Sequence, residues 1–234
     1  MKVGIIHNSL NSCGGGERVC LATIECLKEE GYEVILGTVE PTDWRRVSRV
    51  LGKIEKPDQE FSLVPFKVRA FGIYMRQLSF LLASKLRKKC DLIINTHGDV
   101  LPITAEIVYM HFPTFILLQK NPEFVSQNIK YSRSLFWRIY YTPYSFIAKM
   151  NTKLFSNFEL ILTNSEYSKI AVKHFVGRNA IIIHPPVDIK NFYYPHGGRE
   201  NIVVSCGRYT PEKNYEFVLK LAAVSYTHLT LPTT

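Results

Sequence analysis

Lys2-Val3-Gly4-Ile5-Ile6-His7, followed by Cys13-Gly14-Gly15-Gly16-Glu17-Arg18, decides how this chain is to be read. The first run is short, continuous and apolar, the pattern of a strand buried on both faces. A helix-like run, Arg18 to Glu30, follows the glycines. Three glycines without side chains let backbone N–H groups approach a ligand closely, and the helix aims the positive end of its dipole at the same place. The stretch therefore predicts an anion site, with phosphate the best-fitting anion.

The same alternation continues along the chain. Candidate strands are Lys2 to His7, Glu33 to Glu40, Phe61 to Pro65, Asp91 to Thr96, Glu106 to His111, Leu160 to Asn164, Ala180 to His184 and Asn201 to Cys206. Most are rich in Ile and Val. Candidate helices between them include Arg18 to Glu30, Gly72 to Lys89, Ser134 to Phe155 and Ser165 to Phe175. Strand and helix in alternation predict an α/β fold with a doubly wound parallel sheet, whose ligands bind beyond the carboxyl ends of the strands.

Composition narrows the partners. The 234 residues are 46% hydrophobic and 21% charged, enough for one full domain and part of another. A net charge of +9 favours an anionic partner: nucleic acid, a membrane surface or a phosphorylated small molecule. No nucleic-acid module is visible and the cations are scattered through helices that also carry aromatics, which favours a nucleotide together with lipid headgroups. Cys13, Cys20, Cys26, Cys90 and Cys206 show no paired spacing, which argues against a disulfide framework or a zinc site and fits a reducing compartment. No signal-peptide core opens the chain, and no run reaches the roughly 18–20 apolar residues of a membrane span. A cytoplasmic protein, peripheral on a membrane, is expected. Two basic, aromatic segments, Arg69 to Lys89 and Lys130 to Lys153, are the candidates for that contact, with ordinary core packing the plainer account.

Pro, Gly and polar residues from Pro185 to Glu200 mark a linker, after which Ile202-Val203-Val204-Ser205-Cys206-Gly207-Arg208-Tyr209-Thr210-Pro211-Glu212-Lys213-Asn214 repeats the opening logic of strand, glycine and helix start. Thr210 suits an N-cap and Pro211 the first helical position. Arg208 and Lys213 beside a helix N-terminus oppose the dipole, so they suggest a bound anion, while two solvated surface cations remain the plainer account. The expected division is residues 1–186 as the first domain, 187–200 as linker, 201–223 as the start of a second domain and 224–234 as a non-native tail. Val224-Ser225-Tyr226-Thr227-His228-Leu229-Thr230-Leu231-Pro232-Thr233 matches, codon by codon, the translation of a sequencing-library transposon adapter.

Five motifs in order, namely the glycine loop, Tyr109-Met110-His111-Phe112-Pro113, Leu162-Thr163-Asn164-Ser165-Glu166-Tyr167-Ser168, His184-Pro185-Pro186-Val187-Asp188 and Ser205 to Asn214, resemble glycosyltransferase family 4. Within it, Gly-Gly-Gly-Glu-Arg paired with Tyr-Met-His-Phe-Pro is most similar to the mannosyltransferases that add α-1,2-mannose from GDP-mannose to a lipid-linked oligosaccharide. The resemblance implies a GT-B fold of two Rossmann-like domains and a retaining transfer of sugar from a nucleotide diphosphate to a lipid-linked glycan or polysaccharide. It implies no metal and no cofactor beyond the nucleotide-sugar donor. By the match, Gly15 and Gly16 would line the donor diphosphate from the first domain, and Arg208 and Lys213 would pair with it from the second. His111 would be the catalytic-site residue facing the transferred sugar and the acceptor. A satisfied histidine under the Pro113 loop is the plainer account of it. Glu17 and His97 are possible acceptor or cleft contacts, though the helix dipole alone explains Glu17. The family's pair of glutamates later in the second domain has no counterpart here, so the chain alone is not expected to turn over. Two other classes remain open: a dinucleotide-dependent oxidoreductase, weakened because Val19 stands where GxGxxG needs its third glycine, and a non-catalytic peripheral membrane-binding module.

Overall fold

A computed structural model describes residues 1–67, 78–98, 105–113, 158–189, 202–207 and 213–225. Seven strands form one sheet: β1 (Lys2–Ile6), β2 (Glu33–Thr38), β3 (Gln59–Ser62), β4 (Leu92–Asn95), β5 (Ile107–Met110), β6 (Leu160–Thr163) and β7 (Ile181–Ile182). All pairings are parallel, in the order β3-β2-β1-β4-β5-β6-β7. Five described helices accompany them: α1 (Gly15–Glu29), α2 (Trp44–Leu51), α3 (Phe80–Arg87), α4 (Glu166–Val176) and α5 (Tyr215–Ser225). Parallel neighbours need crossover connections, which is why apolar strand and amphipathic helix alternate in the sequence.

The apolar side chains divide between two cores, one on each face of the sheet. Ile5, Val34 and Leu36 point toward Cys20, Leu21 and Ile24 of α1 and Val47 of α2. Ile6, Ile35, Ile93, Val108 and Ile161 point the other way, toward Leu82 and Leu86 of α3 and Val172 of α4. Successive strand residues thus serve opposite cores, and the strands read as unbroken apolar runs. Gly4 and Gly37 let α3 approach closely: a Cβ on Gly4 would lie 3.0 Å from Cys90 Sγ, and one on Gly37 3.3 Å from Leu82 Cδ2.

Most expected strands form, trimmed by a residue or so where the chain leaves its neighbour. Phe61 to Pro65 instead pairs from Gln59 to Ser62, because β3 is an edge strand and its register against Ile35–Thr38 tolerates polar residues. Glu60 there accepts a hydrogen bond from Trp44 Nε1–H (2.7 Å). Residues 202–206 form no strand. Ile202, Val203 and Val204 are exposed, and among the described residues no strand lies alongside to satisfy their backbone groups. The helix α5 begins at Tyr215, since Asn214 before it adopts a left-handed φ of 49° that no α-helix can run through. Thr210, Pro211, the candidate helix Ser134 to Phe155 and most of the two basic aromatic segments lie outside the described residues. Among the described residues no helix is long and apolar enough to cross a membrane. All five cysteines are free.

Candidate functional site at the switch point

The order of connections reverses at β1, where the chain first winds outward to β3 and then returns to place β4 on the other side. The carboxyl ends of β1 and β4 therefore mark the topological switch point, the usual ligand position in such sheets. At it lie His7 after β1, Thr96 and His97 after β4, and His111 after β5. The glycine loop closes one side and starts α1.

Glu17 organises the loop. Its Oε2 accepts a hydrogen bond from Gly14 N–H (2.7 Å), which uses one of the N-terminal donors that the helix leaves over. Its Oε1 lies 3.8 Å from His7 Nε2. Burial on its own would raise the Glu17 pKa, but the facing His7 ring, with the Gly14 N–H, outweighs it and holds the carboxyl below its ordinary value. Dipole and side-chain contact thus both act on Glu17. The three glycines differ in what they accommodate. A Cβ on Gly14 would stand 2.9 Å from Glu17 Oε2, and one on Gly16 3.4 Å from His111 Nε2. A Cβ on Gly15 would meet nothing within 4 Å among the described residues.

His111 donates from Nε2 to the Thr96 carbonyl (3.2 Å), and because a carbonyl only accepts, Nδ1 is left as the unprotonated nitrogen. Burial lowers its pKa, the nearby His7 charge adds to this, and the Thr96 carbonyl opposes both; the ring is neutral near pH 7. The tilted Tyr109 ring lies 5.0 Å from it, centroid to centroid. The His111 carbonyl accepts from Ser168 Oγ (2.9 Å), which ties the end of β5 to the first turn of α4. Ser165 caps that helix by accepting from Ser168 N–H (3.2 Å).

His97 is half-buried, and its ring meets His7 edge-on at 5.2 Å. Its backbone N–H, like that of Gly98, donates to Asn95 Oδ1, so the turn after β4 is built on an asparagine side chain. Gly15, Gly16, Glu17, His97 and His111 are thus gathered at one end of the sheet. Lys213 is exposed, with Cδ and Cε 3.5 Å from where a Gly207 Cβ would lie; Tyr215 Oη donates to the Gly207 carbonyl (2.7 Å) and closes that short segment. Arg208 lies outside the described residues.

Sequence reading passed over three residues that hold this site together: His7, Thr96 and Gly98. His7 is the first polar residue after the central strand, and that position was the available signal. Its Nδ1 lies 2.9 Å from Thr96 Oγ1, whose own proton goes to the Ile6 carbonyl (3.2 Å). Nothing local to Thr96 or Gly98 reports their partners, which are about ninety residues away in the case of His7 and Thr96.

No protein-family model matches the chain, and no curated protein matches it significantly. Among solved structures it is similar to WaaG, a glycosyltransferase involved in lipopolysaccharide biosynthesis, with a TM-score of 0.62, 10% identity and 94% of this chain covered. The chain spans 59% of the length of that structure. Weaker likenesses are to an alpha-glucosyltransferase in complex with UDP and DNA (TM-score 0.44, 13% identity, 95% of this chain and 53% of that one) and to a UDP-N-acetylglucosamine 2-epimerase, described as putative, from Listeria monocytogenes (TM-score 0.42, 14% identity, 100% and 62%). The fold is accordingly α/β, with a Rossmann-like doubly wound sheet of the GT-B kind.

Proposed function

We propose that this chain supplies the acceptor-side domain of a glycosyltransferase, which moves a sugar, mannose in the first instance, from a nucleotide diphosphate to a lipid-linked glycan or polysaccharide. Gly15 carries the reading. It stands in the first turn of α1, where alanine would be preferred and where a Cβ would meet nothing among the described residues. Packing therefore gives no reason for glycine, whereas close approach of a ligand to the backbone N–H groups does. The neutral His111 across the loop suits hydrogen bonding to a sugar hydroxyl without adding charge beside the diphosphate. In this reading Gly16 joins Gly15 on the diphosphate, Arg208 and Lys213 neutralise it from the second half of the cleft, and Glu17 and His97 border the acceptor. No metal takes part. The net charge of +9 suits a peripheral position on an anionic cytoplasmic membrane face, near a lipid-linked acceptor.

The test is ligand binding by the chain as it stands, measured by NMR titration with GDP-mannose, UDP-glucose, UDP-N-acetylglucosamine and NAD. The reading expects a nucleotide sugar to move the Gly15 and Gly16 amides, and Gly15→Ala to weaken that binding at least about tenfold while leaving thermal stability unchanged or higher. Binding of NAD alone, or equal nucleotide-sugar affinity in Gly15→Ala, would refute it.

A further inference from the structure

His7 is buried to 1% exposure in the centre of the site, yet it sits too deep to reach a ligand. Nδ1 faces a hydrogen-bond acceptor, while Nε2 makes no hydrogen bond among the described residues and lies 3.8 Å from the Glu17 carboxylate. The Thr96 hydroxyl has committed its proton to the Ile6 carbonyl and so receives one from His7 Nδ1–H; Nε2 faces the Glu17 carboxylate. A ring in that position is best satisfied when both nitrogens carry protons. We infer that His7 is a positioning residue, a buried cation that holds Glu17 and, through Glu17, the Gly14 N–H, so that the glycine loop keeps its ligand-binding shape. The inference rests on the ligand-binding role proposed above for the loop, and on three successive contacts: Thr96 to His7, His7 to Glu17, and Glu17 to Gly14.

The groups facing His7 are few. From α1 come Glu17 and Cys20; from the turn after β4 come Thr96 and the edge-on His97 ring; from the end of β5 comes the neutral His111. Burial favours the neutral form of His7, but the Cys20 sulfur and the Glu17 carboxylate together outweigh it, and its pKa rises to about 9. Glu17 answers in the opposite direction, as a paired carboxylate does. The clamp is thus closed through the neutral range and releases on the alkaline side.

The test needs no ligand. Histidine ring-nitrogen NMR, assigned with His7→Gln, follows the His7 titration while the Gly14 amide proton shift is recorded across the same pH range. The clamp predicts that both move together with a midpoint near 9. In Glu17→Gln, which keeps an acceptor for Gly14 but no charge for His7, the His7 midpoint should fall by about one unit or more, and the alkaline step at Gly14 should vanish. A Gly14 amide that ignores the His7 titration overturns the proposal, as does an unchanged His7 midpoint in Glu17→Gln. If His7→Gln fails to fold, the Glu17→Gln comparison decides alone. Nucleotide-sugar titrations on the same samples separate the two readings: failure to bind removes the transferase proposal and leaves the clamp to stand or fall on the Gly14 shift.

Discussion

Replacing Gly98 by alanine tests whether the turn after β4 is what holds the two sides of the switch point in register. Gly98 has a φ of +65°, a left-handed conformation, and an added Cβ would collide with the Tyr109 carbonyl oxygen and come within 2.7 Å of Met110 Cα. Both obstacles are backbone atoms of β5, immediately before His111, so no side-chain rotation relieves them. Left-handed strain costs about 1–2 kcal/mol and forced overpacking about 1–3, so the two together amount to about 2–5 kcal/mol. At this chain length that lowers Tm by roughly 4–20 °C. Gly177, with a φ of +75° and nothing within 4 Å of its would-be Cβ among the described residues, supplies the control. Gly177→Ala should carry the strain alone, about 1–2 kcal/mol. Urea unfolding followed by circular dichroism measures both, with m expected to stay constant. A Gly98→Ala variant no less stable than Gly177→Ala would refute the packing argument. It would also show that the β4 turn does not press on the strand that presents His111.

Stability should fall on the alkaline side, because the His7 pKa is about 9 in the folded chain against an ordinary 6.5. The raised value means that the contribution, up to about 3 kcal/mol, is complete below pH 6.5 and lost as pH rises through 9; urea midpoints at pH 6 and pH 10 should show the loss in the wild type and a smaller loss in Glu17→Gln. Ser165→Ala removes the side-chain cap of α4 and should cost about 1 kcal/mol, readable as a shift in the urea midpoint without a change in m. Tyr109→Phe deletes the hydroxyl that donates to the Ile183 carbonyl (2.7 Å) and should cost about 1 kcal/mol, with faster hydrogen exchange around β7 as the local sign.

Much of the frame was legible because each strand is buried on both faces and so spells itself out as an apolar run. Lys2–Ile6, Glu33–Thr38 and Leu160–Thr163 could hardly be missed. The helix over Trp44–Leu51 gave less notice: Asp43 caps it by accepting from Arg46 N–H, and Gly52 stops it, but only Val47 is fully buried in it. Of the strand expected over Asn201 to Cys206, the described residues 202–206 form none, for the opposite reason. Its composition suits a buried strand, yet composition does not supply the neighbour that a strand requires.

The glycine loop, Glu17, His97 and His111 were identifiable one at a time, since glycines, carboxylates and histidines at strand ends are visible as residue types at positions along the chain. Their convergence was not. The parallel register brings Thr96 to His7, His7 to Glu17, and His111 to Thr96 and Gly16, joining segments up to about ninety residues apart. By itself the sequence determined the alternation of strand and helix and the residue types at the strand ends, because these follow from local periodicity and backbone preference. Which histidine is neutral, which is buried against a carboxylate, and which glycine faces open space among the described residues were decided only by the tertiary structure, because charge state and access depend on neighbours that the fold alone brings into contact.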